Sequence, residues 1–240
     1  MINILLNQSN FDEPWAQDSM QEILDPSQRI LILPLSYNEG WINDSEQWTH
    51  YYGKNRKYYK MIVNPFLHYG FKEEQISWIN YFEDDAETAN RKVNDSDILF
   101  FTGGFPDWMM QRLEDLDLID AIQSFDGIVM GASAGALIQL EQYHLSPDRD
   151  YDFQYQNGMG LLHGFDMDVH YEESEEHIAS IIRSLEDHGE PVLCASDHSG
   201  AIIMGDTVEL LGGSFFFTSD DLDDLYRLNE TILANAYIEP

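Results

Sequence analysis

The sequence has only one cysteine, Cys194, and few basic residues. A single cysteine excludes both an internal disulfide and a metal site built from several thiolates. The 12 Lys and Arg residues are outnumbered by 44 Asp and Glu residues, which gives a formal net charge of −32. Because a strongly negative protein repels phosphate groups, we expect neither nucleic acid nor an anionic membrane surface as a partner.

The sequence also lacks long apolar runs and linker-like segments. The N-terminal stretch MINILLNQSN contains one short apolar run, with no basic segment and no small-residue cleavage site. We therefore expect neither a secretory signal nor a membrane anchor. Because no stretch rich in Pro, Gly and Ser divides the 240 residues, we predict one cytoplasmic domain over residues 1–240.

Four of the scarce cations lie together in HYYGKNRKYYK, residues 50–60, where they alternate with four tyrosines. Such a cluster could bind a nucleic acid or a substrate carboxylate. The favoured interpretation is a segment that packs its tyrosines inward and leaves its lysines in solvent.

Short apolar runs alternate with amphipathic segments of helical length. The runs INILL, RILILPL, QISWINY, DILFF and GIVMGAS are apolar on both faces, as the strands of a covered parallel sheet are. Helices are predicted between them over residues 15–24, 44–63, 84–94, 106–123 and 134–142. The alternation predicts an α/β fold with a doubly wound, mostly parallel sheet and helices on both faces.

The pattern changes in the last third of the chain. FDMDVH predicts another strand, and residues 173–188 predict another helix. The runs PVLCAS, AIIMG, TVELLG and SFFFT lie too close together for helices between them, so we expect antiparallel hairpins at the sheet edge. An acidic helix is predicted over the tail, residues 219–240.

The stretch IVMGASAGALIQL, residues 128–140, carries a G-x-S-x-G motif formed by Gly131, Ser133 and Gly135. The serine falls where a buried strand ends and a helix begins. A turn sharp enough to expose its hydroxyl leaves little room for side chains at the flanking positions. The motif makes Ser133 a candidate nucleophile, although a helix-capping serine in a close-packed Gly/Ala turn explains the local sequence equally well.

A serine hydroxyl needs an imidazole to accept its proton and usually a carboxylate to orient that imidazole. His170 is the preferred base because it ends the predicted strand FDMDVH just before a helix; His163 and His198 in loops stay open. For the carboxylate we prefer Asp148, which follows the helix in a loop that can return over the site, with Glu141 second.

A glycine pair, Gly103 and Gly104, follows the predicted strand DILFF. Backbone N–H groups at that strand end could join the N–H of Ala134 in an oxyanion hole. A turn that needs positive φ is the commoner reason for two adjacent glycines.

Taken together, the segments LPLS, TGGFPDWMMQRL, GASAGA and DVHY resemble the dipeptidase E and cyanophycinase family of serine peptidases, an S51-like family. The sheet of that family is similar to that of class I glutamine amidotransferases. The resemblance covers most of the chain. It implies the following roles: nucleophile Ser133, general base His170, triad acid Asp148, and an oxyanion region of Gly103, Gly104 and Ala134.

The sequence therefore predicts a serine peptidase that cleaves a small peptide or related amide through an acyl-enzyme, without a metal or cofactor. Two positions depart from the family pattern. Phe105 stands where the family commonly has Asn, at the turn after the glycines. An arginine just beyond the histidine segment goes with aspartyl specificity in the family, but here acids follow that segment and the first arginine is Arg183, which disfavours an aspartyl substrate. An esterase with the same triad and a non-catalytic binding protein on the same fold remain alternatives. A metal enzyme built on His170 and His177 is disfavoured, since no H-E-x-x-H pattern occurs.

Overall fold

The computed structural model describes residues 1–236, and within that range it contains twelve strands and nine α-helices. The strands are β1 (Ile2–Leu6), β2 (Ile30–Leu33), β3 (Ile76–Trp78), β4 (Ile98–Phe101), β5 (Ile128–Ala132), β6 (Gln142–Leu145), β7 (Gln154–Asn157), β8 (Asp166–Val169), β9 (Val192–Ala195), β10 (Ser199–Met204), β11 (Thr207–Gly212) and β12 (Phe215–Phe217). The helices are α1 (Gln17–Ile23), α2 (Ser45–Tyr52), α3 (Lys57–His68), α4 (Ala86–Asn94), α5 (Pro106–Asp115), α6 (Ile119–Gln123), α7 (Ala134–Leu137), α8 (Glu175–His188) and α9 (Leu222–Ala236). No helix in this range combines the length and the apolar composition needed to cross a bilayer.

The central sheet has seven strands in the order β11-β10-β1-β5-β4-β2-β3. Strands β1, β5, β4, β2 and β3 are parallel, whereas β10 runs antiparallel to β1 and β11 antiparallel to β10. This arrangement confirms the predicted α/β fold with a mostly parallel sheet and an antiparallel C-terminal edge.

Strand β4 shows why the strands are apolar on both faces. Ile98 and Phe100 pack against one face of the sheet together with residues of α1, α2 and α3. Leu99 and Phe101 pack on the opposite face together with residues of α4, α5 and α6. Because helices cover both faces, alternate side chains along the strand are all buried and none needs to be polar.

The prediction of edge hairpins holds for only part of the C-terminal region. AIIMG and TVELLG form the antiparallel pair β10 and β11 at the sheet edge, as predicted. PVLCAS does not: its strand β9 pairs in parallel with β8 in a separate sheet of order β12-β9-β8. A parallel pair needs a crossover of a dozen or more residues, and α8 supplies it between β8 and β9. SFFFT then pairs with β9 as β12.

Three predicted helices are shorter than expected. The segment 44–63 divides into α2 and α3 at a turn where Asn55 has φ 70°, and the segment 106–123 divides where Asp117 has φ 53°. The segment 134–142 ends at Leu137, and the chain then enters strand β6, which pairs with β7. The tail helix is present as α9, and its predicted residues 237–240 lie outside the described range.

Several chain segments converge at the carboxyl edge of the central sheet. Strand β5 leads to Ser133, β4 leads to Gly103, and β1 leads to Asn7. The end of β8 in the smaller sheet brings His170 to the same place. Open α/β sheets bind ligands at this edge.

Candidate active site

Ser133 lies at a sharp turn between β5 and α7. Its backbone has φ 52°, a left-handed value that is uncommon for a side-chain-bearing residue, and its N–H donates to the Leu6 carbonyl at 2.8 Å. The flanking residues, Gly131 and Gly135, have no room for a side chain. A Cβ on Gly131 would lie 1.8 Å from the Gly135 oxygen, and one on Gly135 would lie 2.3 Å from the Phe101 oxygen. The expected sharp turn with small neighbours is therefore present.

The side chains of Ser133 and His170 meet, with Oγ and Nε2 2.9 Å apart. His170 also has a left-handed backbone, with φ 57°, and its N–H donates to Asn7 Oδ1 at 2.7 Å. Such conformations cost about 1–3 kcal/mol each and concentrate at functional sites. Two strained residues in mutual contact are therefore a strong structural indication of an active site.

The His170 ring lines a cavity that is open to solvent. The surrounding protein nevertheless displaces part of the water around the ring. This desolvation lowers the pKa of His170. The negative charges of Asp197, Asp168 and Asp148, in decreasing order of effect, act to raise it. The positive charge of His177 adds to the lowering. Within residues 1–236, His170 makes no ion pair with a carboxylate. The ring is thus biased toward its neutral form, which a general base needs.

Asp148 lies in the same cavity as Ser133 and His170 but does not bond to His170 in this structure. Its Oδ1 accepts the backbone N–H groups of Asp150 and Tyr151, at 2.7 and 2.8 Å. These bonds fix the loop that presents Asp148 to the cavity.

The other open candidates lie elsewhere. Glu141 and His163 pair with each other at 2.9 Å in the wall of a different cavity. His198 pairs with Glu13 at 3.1 Å. Arg183 stacks over the Phe153 ring, with 4.2 Å from the guanidinium carbon to the ring centroid.

Asp197, in the loop after β9, lies near the site but was not among the candidates from the sequence. Its Oδ1 accepts the side-chain amides of Asn7 at 3.2 Å and Gln8 at 2.5 Å. Asn7 also holds the His170 backbone, so one side chain links Asp197 to the histidine segment. The available signal was a carboxylate directly after a buried strand, the same signal that singled out His170.

Gly103, Gly104 and Ala134 come together beside Ser133, and in the described part of the chain none of their N–H groups donates a hydrogen bond. Ser36 fixes the glycine loop: its Oγ donates to the Gly103 carbonyl at 2.5 Å, and its carbonyl accepts the Phe105 N–H at 2.7 Å. Gly104 has φ 142°, and a Cβ there would lie 2.4 Å from the Ser36 oxygen. These contacts hold the loop in place and leave its N–H groups available to a ligand.

Two cavities share Ser133 and His170 in their walls. The smaller, about 290 Å³, also contains Asp148, His177 and apolar side chains such as Leu137. The larger, about 620 Å³, is bordered on one side by the exposed Lys57 and Lys60 of the basic and aromatic segment. The tyrosines of that segment pack inward only in part, since Tyr52 is 9% and Tyr58 40% exposed.

A buried polar network, not anticipated from the sequence, lies beneath the smaller cavity. His144 in β6 contacts Asp166 through Nδ1 at 2.6 Å and Asp168 through Nε2 at 3.1 Å, and Asp168 Oδ1 contacts His177 Nδ1 at 2.6 Å. Ser146 also donates to Asp168, at 2.6 Å. No group of three or more His, Cys, Asp or Glu residues in the described range is arranged to hold a metal ion.

The network shifts the pKa values of its members. Burial alone would lower the pKa of His144, but the two carboxylates outweigh it and raise that pKa to about 10. Burial alone would raise the pKa of Asp168, but bonds from the two imidazoles lower it to about 2. Burial also opposes the charged form of His177, but Asp168 outweighs it and raises the pKa of His177.

A sequence model of peptidase family S51 matches residues 50–211. No curated protein matches the sequence. Among solved structures, the "Putative Peptidase E Protein" from Listeria monocytogenes EGD-e superposes with a TM-score of 0.64 at 14% identity, over 87% of this chain and 96% of that one. A peptidase from an acI-B1 Actinobacterium superposes with a TM-score of 0.54 at 16% identity, over 91% of this chain and 94% of that one. At these identities the two structures indicate a shared fold.

Proposed function

The chain belongs to peptidase family S51 and is a serine-type peptidase, and from this premise we propose that it hydrolyses a small peptide or related amide through Ser133 and His170. The observation that carries the proposal is the 2.9 Å contact between Ser133 Oγ and His170 Nε2, made by two residues with strained backbones. An imidazole at that distance can accept the hydroxyl proton as the oxygen attacks.

The reaction follows the order expected for a serine peptidase. Ser133 Oγ bonds to the scissile carbonyl carbon while its proton passes to His170 Nε2. The C–N bond then breaks, and the leaving amine takes the proton back from His170. His170 then takes a proton from a water molecule as the water oxygen bonds to the acyl carbon. The bond from that carbon to Ser133 Oγ breaks, the carboxylic acid leaves, and His170 returns the proton to Oγ.

The negative oxygen of the tetrahedral intermediate needs hydrogen-bond donors. We propose the N–H groups of Gly103, Gly104 and Ala134 for this role, supported by their position beside Ser133 and by their lack of acceptors in the described residues. The loss of one such donor typically costs about 2.7–4 kcal/mol of transition-state stabilisation.

Two carboxylates compete for the task of orienting His170. Asp148 is our proposal from the sequence, and it lies in the cavity that contains both other members of the triad. Asp197 is favoured by its charge, which is the largest single influence that raises the pKa of His170. Replacing each by Asn separates them: the variant of the true triad acid loses orders of magnitude in kcat, and the other keeps most of it.

The two cavities at the Ser133 hydroxyl support a small substrate that extends on both sides of the scissile bond. The smaller cavity, about 290 Å³, and the larger one, about 620 Å³, leave room for parts of a small substrate on either side of Ser133. Action on small molecules, rather than on nucleic acid or membranes, stays a prediction, as do the cytoplasmic location and the single domain over residues 1–240.

A dipeptide library assayed with wild type beside Ser133→Ala tests the proposal. Cleavage by the wild type that disappears in Ser133→Ala supports it, and full turnover by Ser133→Ala contradicts it. Matched ester and amide substrates distinguish a peptidase from an esterase with the same triad. A wild type that neither cleaves the library nor reacts with a fluorophosphonate favours a binding protein that has lost catalysis.

A further inference from the structure

The buried network beneath the smaller cavity fixes the protonation of its central histidine. Both ring nitrogens of His144 face carboxylate oxygens, at 2.6 and 3.1 Å, and the side chain is fully buried. A nitrogen without a proton would place its lone pair against a carboxylate, so both nitrogens carry protons and His144 is an imidazolium. Its charge offsets only one of the two buried carboxylates, Asp166 and Asp168.

The remaining negative charge is met by His177. Asp168 Oδ1 lies 2.6 Å from His177 Nδ1, and the Asp168 side chain is 1% exposed. An isolated buried charge is costly, whereas a protonated His177 makes the four-residue network neutral. Other acids also face His177: Asp148, Glu172 and Glu176 line a shallow cavity with it, and the positive charge of His144 opposes its protonation.

His177 lies in the wall of the cavity that also contains Ser133 and His170. We propose that His177 is a further positioning residue of this active site: buried Asp168 holds it as an imidazolium, and the positive charge of His177 adds to partial burial in favouring the neutral form of His170 that takes the proton from Ser133. This inference rests on the proposed function, because it assumes that His170 is the general base.

The need for such a cation follows from the acidity of the chain. His170 faces Asp168 from β8, Asp148 from the loop between β6 and β7, and Asp197 from the loop after β9. All three favour the imidazolium form of His170, which cannot accept a proton. His177 from α8 is the positive group that opposes them, and it adds to the effect of partial burial.

The test uses the rate at which a fluorophosphonate labels Ser133, measured from pH 4.5 to 9. In wild type the rate rises as His170 loses its proton. His177→Gln keeps an N–H donor for Asp168 but removes the charge, so we expect the rise to move up by about half to one pH unit. At pH values below the midpoint of the rise, this shift corresponds to a labelling rate about three- to tenfold lower than that of wild type. His177→Arg retains the positive charge, and its rise stays close to that of wild type.

His163→Gln is the matched control, since His163 is an exposed histidine outside both cavities, and its profile should match wild type. A rise that does not move in folded His177→Gln overturns the inference, as does an equal shift in His177→Arg, which would indicate a purely structural role. A wild type that is not labelled at all contradicts the proposed function instead.

An NMR titration of the histidine rings in Ser133→Ala measures the same claim without any activity. We expect His177 to keep its proton to a higher pH than a free imidazole does, and His170 to titrate at higher pH once His177→Gln is added. A neutral His177 at pH 6 overturns the inference, as does an unmoved His170.

Discussion

The Gly131→Ala substitution tests whether the sharp turn holds Ser133 in position. The added Cβ would lie 1.8 Å from the Gly135 oxygen, whereas real Cβ atoms essentially never approach a nonbonded atom within 3.0 Å. The turn must therefore open by at least about 1.2 Å. A displacement of about 1 Å costs about 100-fold in rate, and overpacking of this kind costs about 1–3 kcal/mol of stability.

Two assays measure the effect. Urea unfolding gives the loss of stability, and fluorophosphonate labelling of the folded protein gives the reactivity of Ser133 without a known substrate. Gly213→Ala is the matched control, because the nearest atom to its Cβ would be the Ser196 hydroxyl at 3.8 Å and its φ is not positive. The reasoning is refuted if Gly131→Ala unfolds at the wild-type urea concentration and is labelled within about twofold of the wild-type rate.

Three further predictions concern the buried network, the glycine loop and the net charge. His144→Gln should destabilise the protein by about 3–5 kcal/mol at pH 7, because it leaves buried carboxylates unpaired. Because folding raises the pKa of His144 from 6.5 to about 10, its contribution is complete below about pH 6.5 and declines toward pH 10. The urea stability of wild type should fall across this window, and the variant should lack that part of the decline. Ser36→Ala removes the bond that fixes the Gly103 carbonyl, so kcat should fall about tenfold or more with little change in KM; equal kcat in steady-state assays would contradict a role for this loop. With a net charge of −32, the melting temperature should rise as NaCl is added from about 0.02 to about 1 M, and a flat response would show that charge repulsion does not limit stability.

The central sheet was predictable because its strands are apolar on both faces and are separated by segments of helical length. The partner of a strand was harder to predict. PVLCAS looks like an edge strand because AIIMG follows it closely, yet its pairing depends on the helix that precedes it. Helix α8 returns the chain beside β8, and its apolar residues cover the smaller sheet.

Ser133 and His170 could be chosen as candidates because each follows a buried strand, and the structure brings their side chains to 2.9 Å. Their roles as nucleophile and base stay a prediction. The network of Asp168, His144 and His177 was not predictable. Alternating aspartates in FDMDVH normally indicate a strand with a solvent-exposed face. Here that face packs against histidines from β6 and α8, and only the tertiary structure shows that the acids are buried and paired.

The central claim is that Ser133 is the nucleophile and His170 its base. Mass spectrometry of the protein after fluorophosphonate treatment tests it most directly, with Ser133→Ala and His170→Ala treated in parallel. We predict a single adduct in wild type, mapped to Ser133, with no adduct in Ser133→Ala and labelling slowed by orders of magnitude in folded His170→Ala. An adduct on another residue, or undiminished labelling of His170→Ala, would contradict the claim.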